Sequence, residues 1–269
     1  MMGKDFLTTI VEHKKQEIVT AQKRIPENRL REEALVPRQR RPFFQRLKQP
    51  GPSGVNIIAE IKRASPSKGP IRPDLDPALL AAQYEQGGAA ALSVLTDKPF
   101  FQGSFEDLQK ARNATGLPVL RKDFLISAYQ VYESAVSGAD AILLIARILS
   151  KEQVRDYIAL SRELHLDALV EIHSEKDLKA ATWAGAKLIG INNRNLSSFE
   201  TDIKTATRLA SLLDPDQIPV AASGIRNRQD IETSQHFGIS NFLIGESLVR
   251  AKNPQAFLKG LIFEGDRNQ

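Results

Sequence analysis

The chain has no cysteine and a single tryptophan in 269 residues. Without cysteine there is no disulfide framework and no thiolate chemistry, a usage that suits a reducing compartment. Long apolar runs are also missing, and none has the length needed to cross a bilayer. The opening MMGKDFLTTIVEHKK breaks its apolar residues with charges every few positions, so it lacks the apolar stretch of a secretory signal. The expectation is a cytoplasmic protein with no membrane partner. A composition of 42% hydrophobic and 26% charged residues excludes a largely disordered chain. The length accommodates one barrel-sized domain as well as two small ones.

The formal net charge of +5 is unevenly placed. Residues 1–50 hold 12 Lys/Arg against 6 Asp/Glu, and the remainder holds 25 against 26. Arg38, Arg40 and Arg41 form the densest basic cluster. No aromatic-interleaved RNA motif or zinc-ligand spacing accompanies it, so no nucleic-acid partner is expected. A solvated helix face is the default reading. A positive field drawing in an anionic substrate is the other.

Phe6, Ile10 and Ile18 recur at helical spacing within residues 5–24, and Pro26 and Pro37 punctuate the stretch after them. Residues 1–50 therefore read as an N-terminal helical extension, joined through QPGPSG at 49–54 to the rest of a single domain spanning 1–269. From residue 55 short apolar runs alternate with helical patterns. The expected strands are Val55–Lys62, Ala90–Leu95, Pro118–Arg121, Asp140–Ile145, Ala168–Ile172, Lys187–Ile191, Ile218–Ala222 and Asn241–Ile244. Helices are expected at Pro77–Gln86, Ser104–Asn113, Ser127–Ser137 and Lys151–Leu164, among others. Gly87-Gly88, Gly138, Gly185 and Gly238 suit left-handed C-caps. This rhythm predicts an α/β fold, a closed (β/α)8 TIM barrel. The rival is a doubly wound open sheet, which usually carries a Gly-rich phosphate turn after its first strand. Here that strand runs instead into Lys62-Arg63-Ala64-Ser65-Pro66-Ser67.

Parallel strands are buried on both faces, so a polar residue within one needs a reason. Barrel active sites lie at the C-terminal strand ends. Glu60 and Lys62 end the first strand two residues apart, on one face. The third strand ends Arg121-Lys122-Asp123-Phe124, the fifth in Glu171-Ile172-His173 and the sixth in Asn192-Asn193-Arg194. One such group alone is usually a surface ion pair. Several at one rim make a candidate site. Ser223-Gly224 and Gly245-Glu246 follow the last two strands, where many barrels bind phosphate on backbone N–H groups. A phosphorylated small molecule is therefore the expected partner. His173 reads as a local packing or hydrogen-bonding residue, and Trp183 as a helix residue without a catalytic part.

The run Ile58-Ala59-Glu60-Ile61-Lys62-Arg63-Ala64-Ser65-Pro66-Ser67 resembles the first-strand signature of indole-3-glycerol-phosphate synthases, I-A-E-x-K-x-x-S-P-S. Other segments agree with that family in order: Leu95-Thr96-Asp97 with Phe101 and Gly103-Ser104, Val119 to Phe124, Leu169 to His173, Ile189 to Leu196, and Phe242 to Leu248. Lys14-Lys15 of the N-terminal helix agree as well.

The resemblance implies ring closure, decarboxylation and dehydration of 1-(o-carboxyphenylamino)-1-deoxyribulose 5-phosphate in tryptophan biosynthesis, with no cofactor and no metal. It implies Lys122 as general acid, Lys62 as holder of the departing carboxylate, Glu171 as helper in the dehydration, Glu60 as orienter of Lys62, and Asn192 on the substrate hydroxyls. Ser65, Gly224, Gly245 and Glu246 would hold phosphate. Phe101 and Phe124 would offer apolar surface, with Arg194 and Ser223 also contacting substrate. A general-acid lysine works best with its pKa drawn toward neutrality. Lys62 and Lys122 are expected to depress each other, within limits set by Glu60 and Glu171.

One position departs from the family pattern: the seventh strand ends Ala222-Ser223-Gly224, with Ala where the family commonly has Glu. Two rival readings remain: another phosphate-binding barrel enzyme, such as a sugar-phosphate isomerase or a Schiff-base lyase using Lys122, and a non-catalytic phosphate-binding relative. A monomer or weak homodimer is expected, although no residue pattern fixes it.

Overall fold

Successive side chains on a strand point to opposite faces, so a strand apolar at every position must be covered on both. The computed structural model describes residues 6–51, 53–194 and 201–263 and meets that requirement with a closed barrel. The eight barrel strands are β1 (Asn56–Ile61), β2 (Ala91–Leu95), β3 (Val119–Lys122), β4 (Ala141–Ile145), β5 (Asp167–Ile172), β6 (Leu188–Asn192), β7 (Ile218–Ala222) and β8 (Asn241–Ile244). All pairings around the barrel are parallel, and β8 closes onto β1 from Asn56↔Asn241 to Ala59↔Ile244. A short antiparallel hairpin, Ala64–Ser65 with Gly69–Pro70, follows β1. The expected (β/α)8 barrel with an N-terminal helical extension is the architecture observed. Pro52, Asn195, Leu196 and the first five residues, all named or spanned above, lie outside the described residues.

Parity along the strands decides what faces where. Ile58, Leu120, Leu143, Leu169, Leu188, Val220 and Leu243 form the barrel interior. Ile57, Ala59, Val119, Ile142, Leu144, Val170 and Ile189 pack outward under the helices. Two residues beyond those interior positions stand Glu60, Lys122, Glu171, Ala222 and Gly245. The same alternation sends Arg121 outward. Its guanidinium donates to Gln130 O at 2.8 Å and Ser134 Oγ at 3.0 Å, and stacks over the Phe105 ring.

Most helices of the barrel layer start on a side-chain cap. Ser104 and Ser127, expected inside their helices, stand just outside, accepting from the N–H of Asp107 and Tyr129. Such caps are worth about 1 kcal/mol each. Gly138 takes the left-handed conformation expected of a C-cap, whereas Gly87 stays at φ −76 and that turn falls on Gly88.

The extension forms α1 (Phe6–Arg24), α2 (Glu27–Ala34) and α3 (Phe43–Lys48). Phe43 and Leu47 of α3 are buried with the barrel interior, and the Phe44 N–H donates to Asp167 at the start of β5. Arg40 donates to the carbonyls of Ala135 and Ala139, and Arg41 to that of Leu117. Two members of the basic cluster thus tie the extension to carbonyls below the barrel. They form neither a solvated helix face nor a field at the mouth.

At the other end α1 crosses the barrel mouth. Leu7, Ile10 and Lys14 are its buried face, so a lysine occupies an apolar-stripe position. Its ammonium lies 2.8 Å from Asp123 Oδ1, 3.0 Å from Asp97 Oδ2 and 3.0 Å from Glu17 Oε2. Asp123 also accepts from Thr96 Oγ1 at 2.6 Å and pairs with Arg121 at 3.1 Å. Burial opposes charge on Lys14 and on Asp123, but their partners outweigh it. Lys14 is held above the usual lysine range and the Asp123 carboxyl is drawn down to about 2. This cluster fixes α1 to the segments leaving β2 and β3.

Removing one member strands buried charges, which typically costs about 3–5 kcal/mol. Lys14→Met should therefore lose stability of that order in urea unfolding. Asp123 has a depressed folded pKa, so its contribution is present above the unfolded value of 3.8 and lost as pH falls toward about 2. The stability gap between wild type and Asp123→Asn should accordingly shrink across that window.

Candidate active site

A cavity of about 900 Å³ opens at the C-terminal ends of the strands. Glu60, Lys62, Ser65, Phe101, Lys122, Phe124, Asn192, Arg194, Ser223, Gly224, Gly245 and Glu246 all line it, as do Ala222 and, from α1, Phe6 and Leu7. Every site residue picked from the sequence is there except Glu171. That carboxylate is buried in the barrel interior, where its Oε1 accepts from Asn192 Nδ2 at 3.2 Å.

The charged centre is one carboxylate between two ammonium groups. Lys62 Nζ donates to Glu60 Oε1 at 2.6 Å, and Lys122 Nζ lies 3.6 Å from Glu60 Oε2. Glu60 is 4% exposed, so water screens the pairs weakly. Burial alone raises the Glu60 carboxyl, but Lys62 and then Lys122 hold it below the usual carboxylate range. Burial likewise lowers Lys122, yet Glu60 and then Glu171 carry it above the usual lysine value. The mutual depression of the two lysines expected from the sequence does not occur for Lys122. A carboxylate stands between them, and for Lys122 it is the leading influence that favours the charged form.

Gly245 makes that arrangement possible. A Cβ built there would lie 2.3 Å from Glu60 Oε1, so the position serves the carboxylate sterically. Its φ of −127 makes no conformational demand. Ser223 and Gly224 do sit in the left-handed region, at φ 66 and 84, where a non-glycine residue stores strain.

Arg194 also lines the cavity. It donates to Ser67 Oγ at 3.2 Å and lies 3.7 Å from Glu246 Oε2. Lys68, Arg226 and Arg250 add positive charge to the same lining. Ser65 Oγ is buried and has no hydrogen-bond partner among the described residues. Phe101 and Phe124 stand 6.0 Å apart between centroids, tilted by 37°. The cavity thus presents two ammonium groups, a cationic rim with an unpartnered hydroxyl, and an aromatic face. That set suits an anion with a flat apolar part. Among the described residues no group of three or more His, Cys, Asp or Glu is arranged for a metal ion.

Sequence reasoning missed Phe6, Leu7, Lys68, Arg226 and Arg250. The signal for Phe6 and Leu7 was the apolar stripe of α1. Lys68 and Arg226 lie in loops, where no periodicity marks them, and Arg250 ends a five-residue helix too short to show one.

Glu60→Gln removes the leading positive influence on the Lys122 pKa. The alkaline limb of its kcat–pH profile should shift to lower pH than in wild type, as a rate profile will show. Gly245→Ala should push the Glu60 carboxylate off its lysines and cut kcat by at least about tenfold, within the usual acid–base range. Side-by-side kinetics and melting curves check that the loss is not one of folding.

The Indole-3-glycerol phosphate synthase family model matches residues 7–261. An indole-3-glycerol phosphate synthase of Desulfosudis oleivorans is 59% identical, covering 96% of this chain and 98% of its own. One from Syntrophobacter fumaroxidans is 52% identical, covering 96% and 97%. Among solved structures, thiamine phosphate pyrophosphorylase from Pyrococcus furiosus superimposes with a TM-score of 0.60 at 13% identity, over 78% of this chain and 94% of its own. That likeness is one of fold alone. With the family model covering nearly the whole chain and relatives matched almost end to end, the chain belongs to the indole-3-glycerol phosphate synthase family.

Proposed function

We propose that the Lys62–Glu60–Lys122 cluster carries out the ring closure that defines this family, acting on 1-(o-carboxyphenylamino)-1-deoxyribulose 5-phosphate. The observation that supports it most is the single buried carboxylate shared by two lysines at the cavity floor. Lys122 enters the reaction as an ammonium, because Glu60 and Glu171 favour its charged form. An ammonium is a proton donor, and a Schiff-base nucleophile must be neutral. The direction of the Lys122 shift therefore supports the acid role over the lyase alternative.

In this reading the substrate's aromatic ring lies on Phe101 and Phe124 and its carboxylate on Lys62. Lys122 protonates the carbonyl oxygen as the ring carbon attacks it. Bringing the anionic carboxylate to Lys62 offers that ammonium a partner other than Glu60. Carbon dioxide then leaves with the bonding electrons returning to the ring. Asn192 holds a substrate hydroxyl, and Glu171, anchored by Asn192, takes the proton released in the final dehydration. The phosphate sits on Ser65, Gly224, Gly245 and the Glu246 N–H, in the field of Arg194. Ser223 completes the turn beside it. The hydrogen bonds of Arg194 to Ser67 and its pairing with Glu246 support that placement, since they aim the guanidinium across the same opening.

Lys122→Met tests the assignment. Following indole absorbance, kcat should fall at least about 100-fold, the lower bound typical of a lost acid–base group. Affinity for a phosphorylated ligand, measured by calorimetry, should stay near that of wild type. A variant retaining a large share of wild-type turnover removes Lys122 from the acid role.

A further inference from the structure

A second cavity, of about 1080 Å³, lies beside the first, with Asn192 and Thr201 in the walls of both. Exposed Arg147, Lys151 and Lys176 stand at its edge. His173 lines it and is nearly enclosed, its side chain only 8% exposed. Neither ring nitrogen has a hydrogen-bond partner among the described residues, an uncommon state for a buried polar side chain. The imidazole Nε2 lies 3.8 Å from Glu171 Oε1, and that same oxygen accepts from Asn192. The ring therefore stands between that buried carboxylate and a separate opening to the surface.

The chemistry of the reaction moves protons both into and out of the site. The substrate carboxylate leaves as neutral carbon dioxide, so each turnover consumes one proton overall. Two protons go in, one to the carbonyl oxygen and one to the departing hydroxyl. One comes out, from the ring carbon next to nitrogen, as the indole double bond forms. In the reading above Glu171 receives that last proton and must lose it before the next cycle. Yet Glu171 is buried and does not line the substrate cavity.

We propose that His173 is a positioning and relay residue that returns Glu171 to its carboxylate form through the second cavity. The imidazole accepts the Glu171 proton at one nitrogen and releases one from the other, so no bond to carbon changes and no oxidant or reductant is needed. The charged groups facing it are Glu171 on its own strand, Asp177 and Lys176 on the following helix, Arg147 and Lys151 from the β4 side, and Asp202 from the β6 side. Asp177 is already engaged, accepting from the His173 backbone N–H at 3.0 Å. This inference rests on the assignment of Glu171 to the dehydration step.

Two signals separate relay from scaffold. In His173→Ala, multiple-turnover kcat should fall on the order of 100-fold, with kcat/KM changed little. Indole should form near the wild-type rate in the first turnover and then slow, a burst stoichiometric with enzyme. Added imidazole, entering the second cavity, should restore part of the steady-state rate. His173→Gln keeps a polar group of similar size that cannot relay a proton, and it should show the same burst if the alanine variant does not fold. Unchanged kcat, a first turnover slowed as much as the steady state, or a burst that imidazole leaves untouched would each overturn the relay. Should wild-type enzyme itself form no indole product, the assigned reaction falls instead, which is a distinct result.

Discussion

The site depends on one electrostatic constraint: a single buried carboxylate, Glu60, serves two lysines at once. At such separations each pair interacts by roughly 4 kcal/mol at an effective dielectric constant near 20. That is enough to override the burial penalty on both signs of charge. The cluster carries a net charge of +1 and has no carboxylate from β7, where Ala222 is buried instead. An anionic substrate therefore meets a floor with spare positive charge. The same absence leaves Glu60 as the nearest counter-ion that orders both lysines.

Much of the remaining molecule serves to hold that arrangement. The barrel's two-residue alternation turns Glu60, Lys122 and Glu171 inward and sends Arg121 out to the helix layer. The buried Lys14 cluster then fixes α1 to Asp97 and Asp123. Asp97 caps the short helix that carries Phe101, and Asp123 directly follows Lys122. The extension thus reaches both the helix of Phe101 and the strand end at Lys122.

The barrel was legible because its strands are apolar at nearly every position, and β7 and β8 begin and end where the sequence places them. At β3 and β6 the ladder runs one residue further, to Lys122 and Asn192. Polar residues read as strand ends, although here they are the last paired positions. The site's membership was legible from parity and from the family's motifs. The direction of the Lys122 shift was not, because it turns on which charge stands nearer, a distance that no spacing encodes. Gly245 read as a phosphate turn, and its steric service to Glu60 shows only once β1 and β8 are adjacent. Lys14 read only as a family match, because two of its three acidic partners come from loops about 80 and 110 residues away, as loop closure in a barrel permits.

The most direct test of the shared-carboxylate claim is an NMR titration of the lysine side-chain amines in the unliganded enzyme, with Lys122 assigned by substitution. The account predicts that Lys122 titrates above the ordinary lysine value of 10.5 and moves down when Glu60 becomes Gln. A Lys122 that titrates below that value in wild type, or is indifferent to Glu60, would contradict it.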